Sequence, residues 1–99
     1  SRRLWDRRVA VLATLHFIRQ GDYADTLRLC RRLLADPDDL IHKACGWMLR
    51  EVGHRDRDAL ERFLGRHAAV MPRTMLRYAI ERLPAASRRR HLSARARAR

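Results

Sequence analysis

The chain has 99 residues with 23 Lys and Arg against 11 Asp and Glu, a formal net charge of +12, and 46% of its residues are hydrophobic. That apolar fraction is enough for a core, which excludes a wholly disordered polyelectrolyte, and four glycines, three prolines and 6% aromatics exclude a turn-rich β-sandwich or barrel. No apolar run approaches the roughly 18 residues of a membrane span, and Cys30 and Cys45 lack the spacing of a disulfide framework or zinc site.

The periodicity predicts an all-α chain of five helices, the first over Leu4 to Arg19. Gln20-Gly21-Asp22 supplies a C′ glycine and an acidic start for the second, Tyr23 to Leu34. Asp36-Pro37-Asp38-Asp39 is a turn and N-cap for the third, Asp39 to Val52, which Gly53 closes as another C′ glycine. Arg57 to His67 is the fourth helix. Pro72 to Leu83 is the fifth, with the proline in its first turn, where a missing N–H costs nothing. From Ala85 the composition collapses to Arg, Ala and Ser. The expected organisation is a helical-repeat unit over residues 1–84 and a disordered basic tail over 85–99, with one helical turn near His91-Leu92.

A weak repeat underlies the helices. Arg8-Val9-Ala10, Lys43-Ala44-Cys45 and Thr74-Met75-Leu76 align at spacings of roughly 31 to 35 residues, the period of stacked helical pairs, and Leu12, Trp47 and Tyr78 then coincide. The pattern fits an α-solenoid of HEAT-like repeats or a simple antiparallel bundle. In the first helix, Val9, Val11, Leu12, Leu15, Phe17 and Ile18 spread around the circumference, which predicts burial on several sides. Either another element precedes Ser1, or this helix is the centre of a small bundle. A start at Ser1 rather than Met suits a fragment or trimmed chain.

The third helix carries the clearest functional signal. Ile41, Ala44, Cys45, Met48 and Val52 fall on one arc of about 100°, a core stripe, while Lys43, Trp47, Arg50 and His54 share about 60° on the opposite side. A tryptophan facing away from a core, with cations one or two turns off, makes a stacking platform beside a phosphate clamp. Packing of Trp47 against a neighbouring repeat or the tail is the competing reading. Arg7 and Arg8 project near Lys43 through the repeat register. Arg73 and Arg77 extend the theme on the last helix, where Glu81 weakens it.

Metal and nucleophile chemistry find no support. The five histidines lie singly, without the i, i+4 spacing of helix-borne ligands, and serine occurs only at Ser1, Ser87 and Ser93. No metal and no cofactor is expected. Asp6, Asp22, Asp25, Asp56, Asp58, Glu51 and Glu61 sit at helix starts or on solvated faces, where capping and dipole effects account for them.

Three blocks, Leu4 to Ala10, Ile41 to Gly53 and Met71 to Glu81, together resemble the DNA alkylation repair family of HEAT-like-repeat alkylpurine DNA glycosylases. The resemblance runs from about Leu4 to Leu92. It implies an enzyme of base excision repair that hydrolyses the N-glycosidic bond of cationic N3- and N7-alkylated purines. Tryptophans then pack on deoxyribose, arginines hold the flanking phosphates, and a carboxylate steadies the sugar cation and water. By this resemblance Arg8 and Arg50 bind DNA and Trp47 packs on the sugar, with Lys43 added by its place on the same face. The family's catalytic aspartate belongs to the repeat before the Leu-Trp-x-Arg-Arg block, so the catalytic residue is expected upstream of Ser1, and Asp6 is not that residue. The partner implied is duplex DNA with alkylated purines, and no membrane. The full-length protein is expected to be monomeric, intracellular in the cytoplasm and associated with the nucleoid. The alternative is a non-enzymatic helical scaffold for nucleic acid or an acidic protein.

Overall fold

The first apolar run folds as two segments, α1 (Arg2–Ala13) and α2 (Leu15–Arg19), in a computed structural model that describes residues 2–98. The break is local chemistry. The Thr14 hydroxyl donates to Val11 O at 2.7 Å while the Thr14 amide donates to the same carbonyl at 3.1 Å, tightening the turn there. Gly21 then turns the chain with φ +83°, as a C′ glycine does. Next come α3 (Ala24–Arg32) and a 3₁₀ turn over Leu33–Ala35.

Helix α4 (Asp39–Arg55) opens as its sequence predicts, with the Asp38 carboxylate accepting from the Leu40 amide at 2.9 Å. It closes later than predicted. Gly53 lies inside the helix, and Asp56 ends it in an extended conformation, its amide donating to Val52 O at 2.7 Å. The Asp56 carboxylate accepts from the Ala59 amide at 3.1 Å, so one residue closes α4 and caps α5 (Arg57–His67) with no loop between them. A 3₁₀ turn over Ala68–Val70 and Pro72 lead into α6 (Arg73–Ile80). Every described helix is α or 3₁₀, and no strand forms among the described residues.

Helix α4 is the spine, packed by α6, α1 and α5 and touched by α2 and α3. Its core stripe is buried as predicted, with Ile41, Cys45, Met48 and Val52 at most 1% exposed and Ala44 at 7%, and Leu49 joins them in the core with Leu60, Leu64, Met75 and Leu76. Cys30 and Cys45 are free buried thiols, and a hydrogen bond with Cys45 together with burial pushes the Cys30 thiol up, so it stays protonated. The first helix does not occupy the centre of a bundle. Val11 and Ile18 are buried, but Trp5, Val9, Leu12 and Phe17 remain exposed, so the chain covers one side of α1–α2 only.

The tail corrects the sequence reading most. Residues expected to be a disordered basic arm form α7 (Ala85–Arg97), with only Arg99 of that stretch outside the described residues. The helix is seated by polar rather than apolar contacts. Ser87 and His91, one turn apart, are buried against Glu61 of α5; the Ser87 hydroxyl donates to Oε2 at 2.7 Å and His91 Nε2 lies 2.6 Å from Oε1. Arg57 and Arg90 add donors at 3.3 and 3.4 Å, and Arg95 Nε donates to Met71 O at 2.8 Å. A search for apolar periodicity is blind to such a latch.

Burial alone pushes the Glu61 carboxyl up, but donors from His91, Ser87 and Arg57 outweigh it and hold the group at about 2, against 4.5 unperturbed. Because the folded value is the lower one, the latch contributes its full stability above about pH 4.5 and loses it as pH falls toward 2. Hydrogen exchange read on α7 should therefore lose protection across that window. In Glu61→Gln, protection should be reduced already at neutral pH and change little on acidification.

Candidate nucleic-acid interface

The 100° advance per residue that buries Ile41, Cys45 and Met48 turns Lys43 and Trp47 outward on α4. They meet α1 and α6 there: Arg8, Leu12, Leu40, Lys43, Ala44, Trp47 and Tyr78 line one shallow groove. Leu12, Trp47 and Tyr78, which coincide in the repeat register, thus stand side by side on three helices. Trp47 is 47% exposed, so packing within the chain consumes about half its surface and leaves the rest of the side chain to solvent. Lys43 is held loosely, its ammonium 3.9 Å from the Asp39 carboxylate with both side chains largely exposed.

A second groove continues from the same tryptophan, lined by Trp47, Arg50, Arg77, Tyr78, Glu81, Arg88 and neighbouring apolar side chains. The Arg50 guanidinium lies over the Trp47 ring, 4.6 Å from its centroid, and its Nη1 is ion-paired with Glu81 across the groove. The ring contact is a cation–π interaction that orients the fork. Arg50 is only 13% exposed on its side chain and Glu81 57%, so the carboxylate is the more exposed partner of the pair. A phosphate reaching Arg50 would compete with Glu81 for the same fork.

All four residues singled out from sequence, Arg8, Lys43, Trp47 and Arg50, lie on this two-part surface, joined at Trp47. Arg77 joins them. Arg7 does not, because its Nε pairs with Asp36 at 2.7 Å and ties α1 to the loop before α4. His54 lies against Glu51 and lines a different depression with Arg57 and Pro84. Sequence patterning does not point to Arg88 and Leu92, which reach the groove from α7, because a segment without apolar periodicity reads as a tail. It also misses a basic cluster on the α3–α5 layer, where Arg28, Arg31, Arg62, Arg66 and His67 surround Leu27 and Phe63. Burial, then the charges of Arg31 and Arg66, push the His67 imidazole down and keep it neutral. Among the described residues no three His, Cys, Asp or Glu side chains group as a metal site, and no helix is long and apolar enough to cross a membrane.

A family model described as DNA alkylation repair enzyme matches residues 1–83. The chain belongs to that family. No curated protein and no solved structure matches it. Membership in a DNA alkylation repair family points to DNA as substrate or partner, and the groove residues of α1, α4 and α6 all fall inside the matched segment. Helix α7 lies beyond it.

Proposed function

We propose that this chain is the DNA-binding wall of a glycosylase that excises cationic N3- and N7-alkylated purines, assembled from HEAT-like helical repeats. The observation that carries the reading is Trp47, half exposed on a face where Arg8, Lys43, Arg50 and Arg77 are among the cations and the register-related residues Leu12 and Tyr78 flank it. An exposed indole offers a flat apolar surface to deoxyribose, and cations on either side of it suit successive phosphates of one strand.

The chemistry needs little more from this wall than position and charge. A purine alkylated at N3 or N7 is cationic and already a good leaving group, so the demand falls on stabilising the oxocarbenium-like sugar and placing a water. Trp47 packed on the sugar excludes bulk water from one face, and the arginines fix the backbone about the lesion. The carboxylate that would steady the sugar cation is not assigned to this chain. Asp6 is exposed on α1 and lines neither groove. The protein works in the cytoplasm on nucleoid DNA, as a monomer when full length.

The test is base release from duplex DNA carrying N7-methylguanine. A longer protein that includes the repeat before Leu4 should release the base, and the 99-residue chain should not. Release by the chain alone at a comparable rate would overturn the placement of the carboxylate. Release by neither would overturn the glycosylase reading.

The Arg50–Glu81 pair makes a separate forecast. Glu81→Gln removes the competing carboxylate from an ion pair whose acidic partner is 57% exposed, so duplex affinity should rise by about threefold to tenfold at low salt, consistent with ~1 kcal/mol for such a pair. A fluorescence titration showing unchanged or weaker binding would mean that Arg50 serves Glu81 rather than DNA.

A further inference from the structure

Helix α7 has a surface that the family match does not reach and that the reading above does not use. It carries Arg88, Arg89 and Arg90 in its first two turns, yet each stands in a different environment. Arg90 turns to the latch, toward Glu61 and Ser87. Arg89 is exposed. Arg88, on the other side, is half-buried; its Nη1 donates to Leu83 O at 2.5 Å, and it lines the groove with Trp47, Arg50, Arg77 and Tyr78. Leu92, one turn on, lies in the same groove and is 40% exposed.

A guanidinium has five N–H donors, and the Leu83 carbonyl takes one. That bond holds the fork without exhausting it, in a groove that Arg88 lines and whose anionic member, Glu81, is already paired with Arg50. The helix is also placed firmly enough to present such a group: Glu61 grips Ser87 and His91, and Arg95 reaches Met71 O. Leu92 beside Trp47 and Tyr78 extends the apolar floor that a deoxyribose would meet.

We propose that α7 is a second wall of the DNA groove, with Arg88 as a backbone-phosphate contact on the side of Trp47 away from Arg8, and with the Glu61–Ser87–His91 latch as its positioning device. The inference rests on the DNA-binding reading of the groove and extends it to a segment outside the family-matched residues.

The experiment compares Arg88→Ala and Arg89→Ala by fluorescence anisotropy on an unmodified duplex at several salt concentrations, with Arg62→Ala on the α3–α5 layer as a third loss of one charge. Arg88→Ala should bind about threefold to tenfold more weakly and lower the salt slope by about one, the signature of one lost phosphate contact. Arg89→Ala and Arg62→Ala should keep the wild-type slope. His91→Ala, which loosens the seat without removing an arginine, should weaken binding in the same direction while circular dichroism still shows a folded chain. Equal losses in Arg88→Ala and Arg89→Ala would mean that only net charge matters and would overturn the proposal. No loss in Arg88→Ala, with binding still sensitive to Trp47→Ala, would overturn it while sparing the groove. A wild-type chain that does not bind duplex at low salt would instead remove the reading on which it rests.

Discussion

Gly46→Val is expected to destabilise the chain by about 3 kcal/mol, the upper end of what an overpacked core position costs, and thereby to lower its melting temperature by well over 10 °C. A Cβ at position 46 would sit 2.5 Å from Tyr78 Cβ and 2.7 Å from Met75 O, on the seam where α4 meets α6. The obstacles are a backbone oxygen and a Cβ, neither able to swing aside as a side-chain tip can. Relief requires α6 to move off α4, which also separates Tyr78 from Trp47 and opens the groove. Gly65 gives the contrast. It lies in α5 with nothing within 4 Å of an added Cβ, so Gly65→Ala should stabilise by about 1 kcal/mol through helix propensity alone. Thermal melts of both variants check the pair, and equal effects would mean that α4 and α6 do not approach as described.

Trp47→Ala should reduce duplex affinity by about 1–3 kcal/mol, roughly fivefold to 150-fold, by analogy with base–aromatic platforms. Its effect on folding should be small. Truncating a fully buried tryptophan costs about 3–5 kcal/mol, whereas Trp47 is 47% exposed and borders grooves rather than the core. Arg50→Ala should weaken binding across all sequences and flatten the salt slope by about one. It also frees Glu81 into the groove, so its loss should exceed that of Arg50→Ala made in a Glu81→Gln background. Melting curves run beside the DNA titrations separate the outcomes. A large drop in melting temperature with intact affinity would make Trp47 a packing residue.

The core and the groove were legible for the same reason. Helix α4 buries one stripe and exposes the opposite one, and the 3.6-residue period reports both, so Ile41 to Val52 and Lys43 to Arg50 sort themselves from sequence alone. Leu12, Trp47 and Tyr78, which the weak repeat aligns, also share a groove. What periodicity does not encode is pairing between distant polar groups. Glu81 reads as a spoiler of the Arg73 and Arg77 stripe, but its partner is Arg50, 31 positions earlier. Glu61 reads as a solvated carboxylate, yet it seats a whole helix through Ser87 and His91. Asp56 replaces Gly53 as the end of α4 because its amide still reaches Val52 O while its carboxylate starts the next helix. The Glu81 and Glu61 departures are pairings whose partners lie far outside the window that local patterns span, whereas the Asp56 contacts are local and prevail over the stop signal of Gly53.

The central claim is that the surface joined at Trp47 holds the DNA backbone, and a salt titration tests it most directly. With about five phosphates held by Arg8, Lys43, Arg50, Arg77 and Arg88, the logarithm of affinity should fall against the logarithm of salt with a slope near −4.5, a loss of about 500-fold between 50 and 200 mM. Dissociation constants should lie at roughly 10⁻⁴ to 10⁻⁶ M near physiological salt, with little sequence preference. The double variant Arg8→Ala/Lys43→Ala should reduce the slope by about two. A chain that does not bind duplex DNA at 50 mM salt, or binds it with an affinity indifferent to salt, would contradict the account.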